Sequence, residues 1–190
     1  MSFPTRPMMQ PDEVEYLTHA LKGIESNAVV LEWGMGGSTY YLSQQLVRDQ
    51  RLHSIEHDVQ WFEQARKSIE NLPRQDNTQV FLHHAPAEKV LSVVSNGTAL
   101  EECPVGLANY INFAPLMRKD FDWSRVQLVL VDGVSRGSVL ASLLMKLTPG
   151  TVVMMHDFTS DRDHWYNWIV PAYDLEGIQG AMIKLRVPAR

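Results

Sequence analysis

The chain of 190 residues has one cysteine, Cys103. A disulfide within the chain is thereby excluded, as is a metal centre built from cysteines, and a reducing cytoplasm is the expected setting. No run approaches the roughly 20 apolar residues of a membrane-spanning helix, so no membrane partner is expected. Residues 1–10 lack the apolar core of a signal peptide, and Pro4, Pro7 and the following Pro11 give the N-terminus the character of an irregular arm. Basic residues are few: 17 Lys plus Arg stand against 22 Asp plus Glu, a net charge of −5. Without a dense cationic cluster the chain lacks the footprint that phosphate binding needs, and nucleic acid is not expected as a partner. Internal repeats and low-complexity tracts are also absent.

What remains is an ordinary globular composition, 45% apolar and 21% charged, long enough for one domain with a substantial core. The expected organisation is one domain over 1–190, with an arm and helix over 1–25. Pro11, Asp12 and Glu13 open that helix, Val14, Leu17 and Leu21 form its apolar face, and Gly23 ends it. Strands are expected over 28–33, 51–56, 78–84, 126–131 and 151–155, with helices over 38–48, 61–72 and 139–147 between them. A short helix is expected over 88–94, ahead of a turn at Asn96-Gly97. From 96 to 123 the periodicity breaks down, and a connection of that length suits a lid or substrate loop, with Tyr110, Phe113, Met117, Arg118 and Lys119 as candidates. A helix over 161–168, in which Trp165 and Trp168 pack inward, precedes two strands over 169–175 and 181–187, linked through Glu176-Gly177. Strands alternating with helices indicate an α/β fold, a doubly wound and mostly parallel sheet in three layers.

In such a sheet ligands bind beyond the carboxyl ends of the strands. Those ends read Glu32, Glu56, His84, Asp132 and His156-Asp157, a polar rim on five strands. The first of them runs into Glu32-Trp33-Gly34-Met35-Gly36-Gly37-Ser38-Thr39, three glycines within four positions and then a helix start. Glycine lets a backbone turn tightly and approach a ligand closely. The dinucleotide pattern Gly-x-Gly-x-x-Gly fails, because its third glycine would fall at Thr39, and no Gly-Lys-Ser/Thr follows to make a phosphate loop.

The pattern Glu32-x-Gly34-x-Gly36-Gly37 resembles instead motif I of the class I S-adenosylmethionine-dependent methyltransferases. Three further stretches agree in order and spacing: Ser54-Ile55-Glu56-His57-Asp58, Val131-Asp132-Gly133, and Leu147-Thr148-Pro149-Gly150-Thr151. The resemblance covers roughly residues 28–158 and departs from the family at Thr39 and Thr151, where glycines are common. It implies a Rossmann-like methyltransferase fold, a seven-stranded sheet with an antiparallel strand at the C-terminus. It also implies S-adenosylmethionine as cofactor, held by Glu32, Gly34, Gly36, Gly37, Ser38, Glu56, His57, Ala85, Ala87 and Asp132. Glu56 would accept from the ribose hydroxyls, and Ala85, Pro86 and Ala87 would flank the adenine.

The Asn/Asp-Pro-Pro-Tyr/Phe sequence of amino-group methyltransferases is missing after strand four. Transfer to an oxygen of a small-molecule acceptor is therefore the expected activity, with His156 as the base and Asp157 beside it. In the catechol O-methyltransferase branch, acids after strands four and five hold magnesium, and Asp132 and Asp157 stand in comparable places. That metal is not required by the rest of the pattern. Two other readings are a methyltransferase-like module that binds a ligand or partner without turnover, and a metal-dependent transferase or hydroxylase built on Asp132 and Asp157. A homo-oligomer is left open.

Overall fold

A computed structural model describes residues 3–74, 77–87, 106–113 and 121–189. Chain order runs α1 (Pro11–Lys22), β1 (Val29–Trp33), α2 (Gly37–Gln45), β2 (Arg51–Glu56), α3 (Val59–Ile69), β3 (Gln79–His84) and α4 (Ala108–Ile111). It continues with β4 (Val126–Val131), α5 (Arg136–Leu144), β5 (Val152–Met155), β6 (Asp174–Gln179) and β7 (Met182–Arg186). The strands form one seven-stranded sheet in the order β3-β2-β1-β4-β5-β7-β6. All pairings from β3 to β5 are parallel, and β7 runs antiparallel to both its neighbours. The expected sheet is the one observed.

Alternation along the strands sends side chains to two cores. Val30, Leu52, Leu128, Leu130 and Met154 meet Leu17 and Leu21 of α1 and Leu42 of α2 on one face. Leu31, Trp33, Val129, Val131 and Met155 meet Val139, Leu140 and Leu143 of α5, with Tyr110 and Ile111 of α4, on the other. Val80 and Leu82 carry α3 through Ala65 and Ile69. Strands buried on both faces read as continuous apolar runs, which is why β1 and β4 stand out in the sequence. Helix starts are satisfied locally: the Gln10 N–H donates to Glu13 Oε2 at 2.7 Å, and the Trp61 N–H donates to Asp58 Oδ1 at 2.7 Å. Among the described residues, no helix is long and apolar enough to cross a membrane.

Boundaries differ from expectation chiefly at the C-terminal end. The strand expected over 169–175 begins only at Asp174, because Pro171, which has no N–H, sits in a 3₁₀ turn at Val170–Ala172. The chain reverses at Gly180 (φ +58), while Glu176 and Gly177 lie inside β6. A Cβ at Gly177 would fall 2.8 Å from the Tyr16 hydroxyl, the far end of a side chain packed on the strand. The expected helix over 161–168 is reduced to a 3₁₀ turn at Asp163–Trp165; Trp165 packs against the core, but Trp168 is 61% exposed. α2 ends at Gln45, where Leu46 turns to extended backbone (ψ 138) and buries its side chain. α3 ends at Ile69, short of the stop at Pro73. The helix expected over 88–94, the turn at Asn96-Gly97, and Met117, Arg118 and Lys119 lie outside the described residues.

Candidate functional site

β1 pairs with β2 on one side and β4 on the other, so the strand order reverses at the carboxyl end of β1. That is where an open α/β sheet leaves a crevice. The turn out of β1 is set by Gly34, which has φ +97 and packs so closely on the chain after β4 that a Cβ would fall 2.5 Å from Gly133. Only glycine meets both demands. Gly37 opens α2 beneath the N-terminal arm, where a Cβ would overlap the Arg6 carbonyl at 1.7 Å. Gly36 is under no such constraint, since its Cβ would meet nothing nearer than Ser38 Oγ at 3.9 Å.

Two carboxylates fix this loop. Glu32 points beneath it and is wholly buried, accepting from Ser38 Oγ and from Ser54 Oγ, each at 2.6 Å. Burial raises its pKa to about 7, against the hydrogen bonds from Ser38, Ser54 and Thr39 that favour the charged form. Glu56 ends β2 and is also buried; Oε1 accepts from the backbone N–H of His57 (2.7 Å) and Asp58 (2.8 Å), and Oε2 accepts from the Met35 N–H (3.1 Å). One lone pair of that carboxylate stays spare on the inventory of about four. Both acids are thus brackets that tie the β1 turn to β2 and α2. Thr39, a departure from the family glycine, accepts from the Gly36 N–H at 2.9 Å and lies 3.4 Å from Ser54 Oγ. Its hydroxyl gives the turn a support that a glycine could not.

The remaining rim residues divide. His57 Nδ1 lies 2.8 Å from Glu56 Oε1, and its ring meets Tyr110 edge-on at 5.2 Å. Ala85 is buried, its N–H donating to the Glu56 carbonyl at 2.8 Å, and Ala87 packs on the same core. His84 turns away, stacking on Phe62 at 5.3 Å with Nε2 3.2 Å from the His57 carbonyl. Tyr110 and Phe113 are buried against the rim rather than standing open to solvent.

At the other side of the crevice Asp132, His156 and Asp157 do come together. His156 Nδ1 lies 2.9 Å from Asp132 Oδ1, and Nε2 lies 3.2 Å from Oε2 of Glu13. Burial works to lower the imidazole pKa, but the Asp132 hydrogen bond and the charges of Asp132, Asp157 and Glu13 prevail and raise it. With a carboxylate oxygen facing each nitrogen, the imidazole is clamped between the first helix and the end of β4. Both His156 nitrogens are engaged by carboxylates, which is the environment in which a base at this position would have to act. Asp157 has left-handed backbone (φ +59), and its Oδ2 receives Arg136 Nη2 at 2.9 Å and Arg162 Nη1 at 3.1 Å.

Asp132, His156 and Asp157 offer ligand atoms within 4.8 Å of one another, the grouping a divalent cation would use. A cation is already built in. The guanidinium of Arg136, buried at the start of α5, spans Asp157 and Asp132, with Nη2 3.7 Å from Asp132 Oδ1. Magnesium wants oxygen ligands in octahedral array, and here Asp157 Oδ2 is held by Arg136 and Arg162, Asp132 Oδ1 by His156, and a guanidinium already occupies the space between the acids. These residues do not fit a resident magnesium ion. Arg136, Arg162 and Glu13 were not singled out from sequence as site residues; only the spacing of Arg136, four after Asp132 and directly before a helix, could have signalled it.

No family model matches the sequence. No curated protein matches it either. Solved structures do match. A methyltransferase-like protein from Silicibacter pomeroyi superposes with a TM-score of 0.75 at 21% identity, over 98% of this chain and 92% of that one. The O-methyltransferase from Bacillus cereus, in complex with S-adenosylhomocysteine, gives 0.61 at 16% identity over 95% and 84%. An RNA methyltransferase from Salinibacter ruber, also with S-adenosylhomocysteine, gives 0.54 at 17% over 97% and 95%. These likenesses show the fold: it is the Rossmann-like fold of those methyltransferases.

Proposed function

We propose that the chain is an S-adenosylmethionine-dependent methyltransferase acting on a small molecule, with oxygen the favoured acceptor atom. The observation that carries this reading is the Gly34 turn at the switch point, closed on Gly133 and bracketed by buried Glu56. It sits on a fold shared with proteins that bind S-adenosylhomocysteine. When bound, the cofactor supplies a methyl group on a positively charged sulfur. Gly34, Gly36 and Gly37, with Ser38 behind them, would hold its amino acid end. Glu56 and His57 would face the ribose, and Ala85 and Ala87 the base. Asp132 adds negative charge at the rim. Methyl transfer asks of the protein mainly orientation and exclusion of water. In this reading the Asp132–His156–Glu13 clamp holds the rim in place, and Asp157 is held beside it by Arg136 and Arg162. The net charge of −5 favours a small acceptor over RNA.

Titration calorimetry with S-adenosylhomocysteine tests the cofactor: saturable binding to the purified chain is expected, weakened in Glu56→Ala. No heat at millimolar ligand would sink the reading. A second reading, a module that binds the cofactor without turnover, is favoured by the engagement of both His156 nitrogens. Binding with no methylated product across a broad panel of phenols, alcohols and carboxylates would decide for it.

A further inference from the structure

Tyr110 lies in the four-residue helix α4, and its side chain is wholly buried. Its main chain is pinned, because Trp33 Nε1–H donates to the Tyr110 carbonyl at 2.8 Å. Its hydroxyl has no hydrogen-bond partner among the described residues. A buried hydroxyl normally finds a partner, so this one marks a place where the folded chain is short of a polar neighbour.

The place is specific. The ring meets His57, the residue after β2, edge-on at 5.2 Å. The oxygen lies against Gly133, after β4, so closely that a Cβ there would fall 1.9 Å from it. Gly133 is itself packed on Gly34, after β1. Tyr110 therefore spans the ends of three adjacent strands across the switch point. Its surroundings are acidic: burial raises the hydroxyl pKa well above the usual range, and Glu56, Asp132 and Glu32 push it the same way against Arg136. A neutral phenol fills a space whose charge suits a cation.

We propose that Tyr110 is a displaceable plug, its hydroxyl seated against Gly133 in the berth of the cofactor and leaving when the cofactor binds. This rests on the reading of the rim as an S-adenosylmethionine site. It makes binding conformationally gated: apparent affinity is the intrinsic affinity reduced by the fraction of chains with the plug withdrawn. The backbone held by Trp33 acts as the hinge point about which the side chain swings.

The test is S-adenosylhomocysteine binding to the full chain, to Tyr110→Ala and to Tyr110→Phe, with hydrogen exchange of the wild-type chain alongside. Tyr110→Ala is expected to bind about tenfold tighter, as loss of a plug closed in about nine chains of ten would give. Tyr110→Phe keeps the ring and removes the unpaired hydroxyl, so it holds the plug closed and is expected to bind no tighter than the wild type. Saturating ligand should increase exchange at 106–113 in the wild type, a readout that stands even if Tyr110→Ala folds poorly. Weaker binding by Tyr110→Ala, or ligand-induced protection of 106–113, overturns the plug and makes Tyr110 a cofactor contact. If neither the wild type nor either variant binds, the cofactor reading itself fails and the plug falls with it.

Discussion

His156 Nε2 and Glu13 Oε2 lie 3.2 Å apart although 143 residues separate them in the chain. This contact closes the first helix onto the carboxyl end of β5. Glu13 is a three-way tie, since Oε2 also accepts from the Gln10 N–H at 2.7 Å and Oε1 from the Ala181 N–H at 2.5 Å. Removing it strands His156 Nε2 and two backbone donors. Glu13→Ala is expected to cost about 3 kcal/mol, the low end for breaking a buried ion pair, and Glu13→Gln about half that. Urea denaturation at neutral pH measures both, and a loss within error of zero would dismiss the clamp.

The same pair gives a pH dependence of fixed sign. The folded-state pKa of His156 is raised, so its contribution is complete below the ordinary histidine value and is lost as pH rises through the raised value. Denaturation midpoints should fall as pH rises through and above the ordinary histidine range, and His156→Gln should flatten the slope. A midpoint that climbs across that window contradicts the assignment.

Glu32 adds a slope of the same sign at lower pH. Its carboxyl is held at about 7 against an unfolded value near 4.5, so the fold binds the extra proton and loses stability as pH rises between those values. The shift corresponds to about 3 kcal/mol at full ionisation. Glu32→Gln keeps an acceptor for one serine hydroxyl and offers a donor to the other. The variant is expected to match the wild type near pH 4 and to exceed its stability near pH 8 by about 2 kcal/mol. Equal pH profiles would show that Glu32 titrates normally.

Much of this was legible from the residues and some was not, for identifiable reasons. β1 and β4 are apolar on both faces, so Val29-Val30-Leu31 and Val126 to Val131 announce themselves without context. The C-terminal reversal was misplaced because two glycines compete for it. Gly180 takes the turn with positive φ, while Gly177 stays in the strand beside Tyr16, a neighbour 161 positions earlier in the chain that no local pattern reveals. Thr39 looked like a lost glycine and is a buttress. Glu13 reads as a helix-start acid, which it is, and nothing near it in sequence discloses His156. Local periodicity reaches elements; side-chain partners across the sheet need the fold first.

The two loop glycines should separate folding from binding. Gly34→Ala meets both the φ of +97 and Gly133 at 2.5 Å, so it should cost about 1–3 kcal/mol or more and displace the turn. Gly36→Ala meets open space, with extended φ of −171, so its melting temperature should stay near that of the wild type. The same Gly36→Ala chain should nevertheless bind S-adenosylhomocysteine more weakly, because in the proposed binding mode the added methyl would stand in the path of the ligand. Unchanged affinity would remove Gly36 from the site.

Arg136 decides the question of a metal. Its guanidinium spans Asp157 at 2.9 Å and Asp132 at 3.7 Å, balancing the two carboxylates that a divalent cation would otherwise join. Five fixed N–H donors on a planar group hold those acids without a coordination sphere. The wild-type chain is therefore expected to leave the electron paramagnetic resonance signal of free Mn²⁺ unattenuated, and any turnover to survive EDTA. Arg136→Met removes the charge but keeps much of the volume, so Asp132 retains His156 and Asp157 retains Arg162 as partner, with one cation fewer between them. That variant should take up Mn²⁺, read as loss of the free-ion signal on titration. Stoichiometric Mn²⁺ binding by the wild type at micromolar concentration would mean that the guanidinium yields its place, and the metal-dependent reading of this rim would then displace the one given to Arg136.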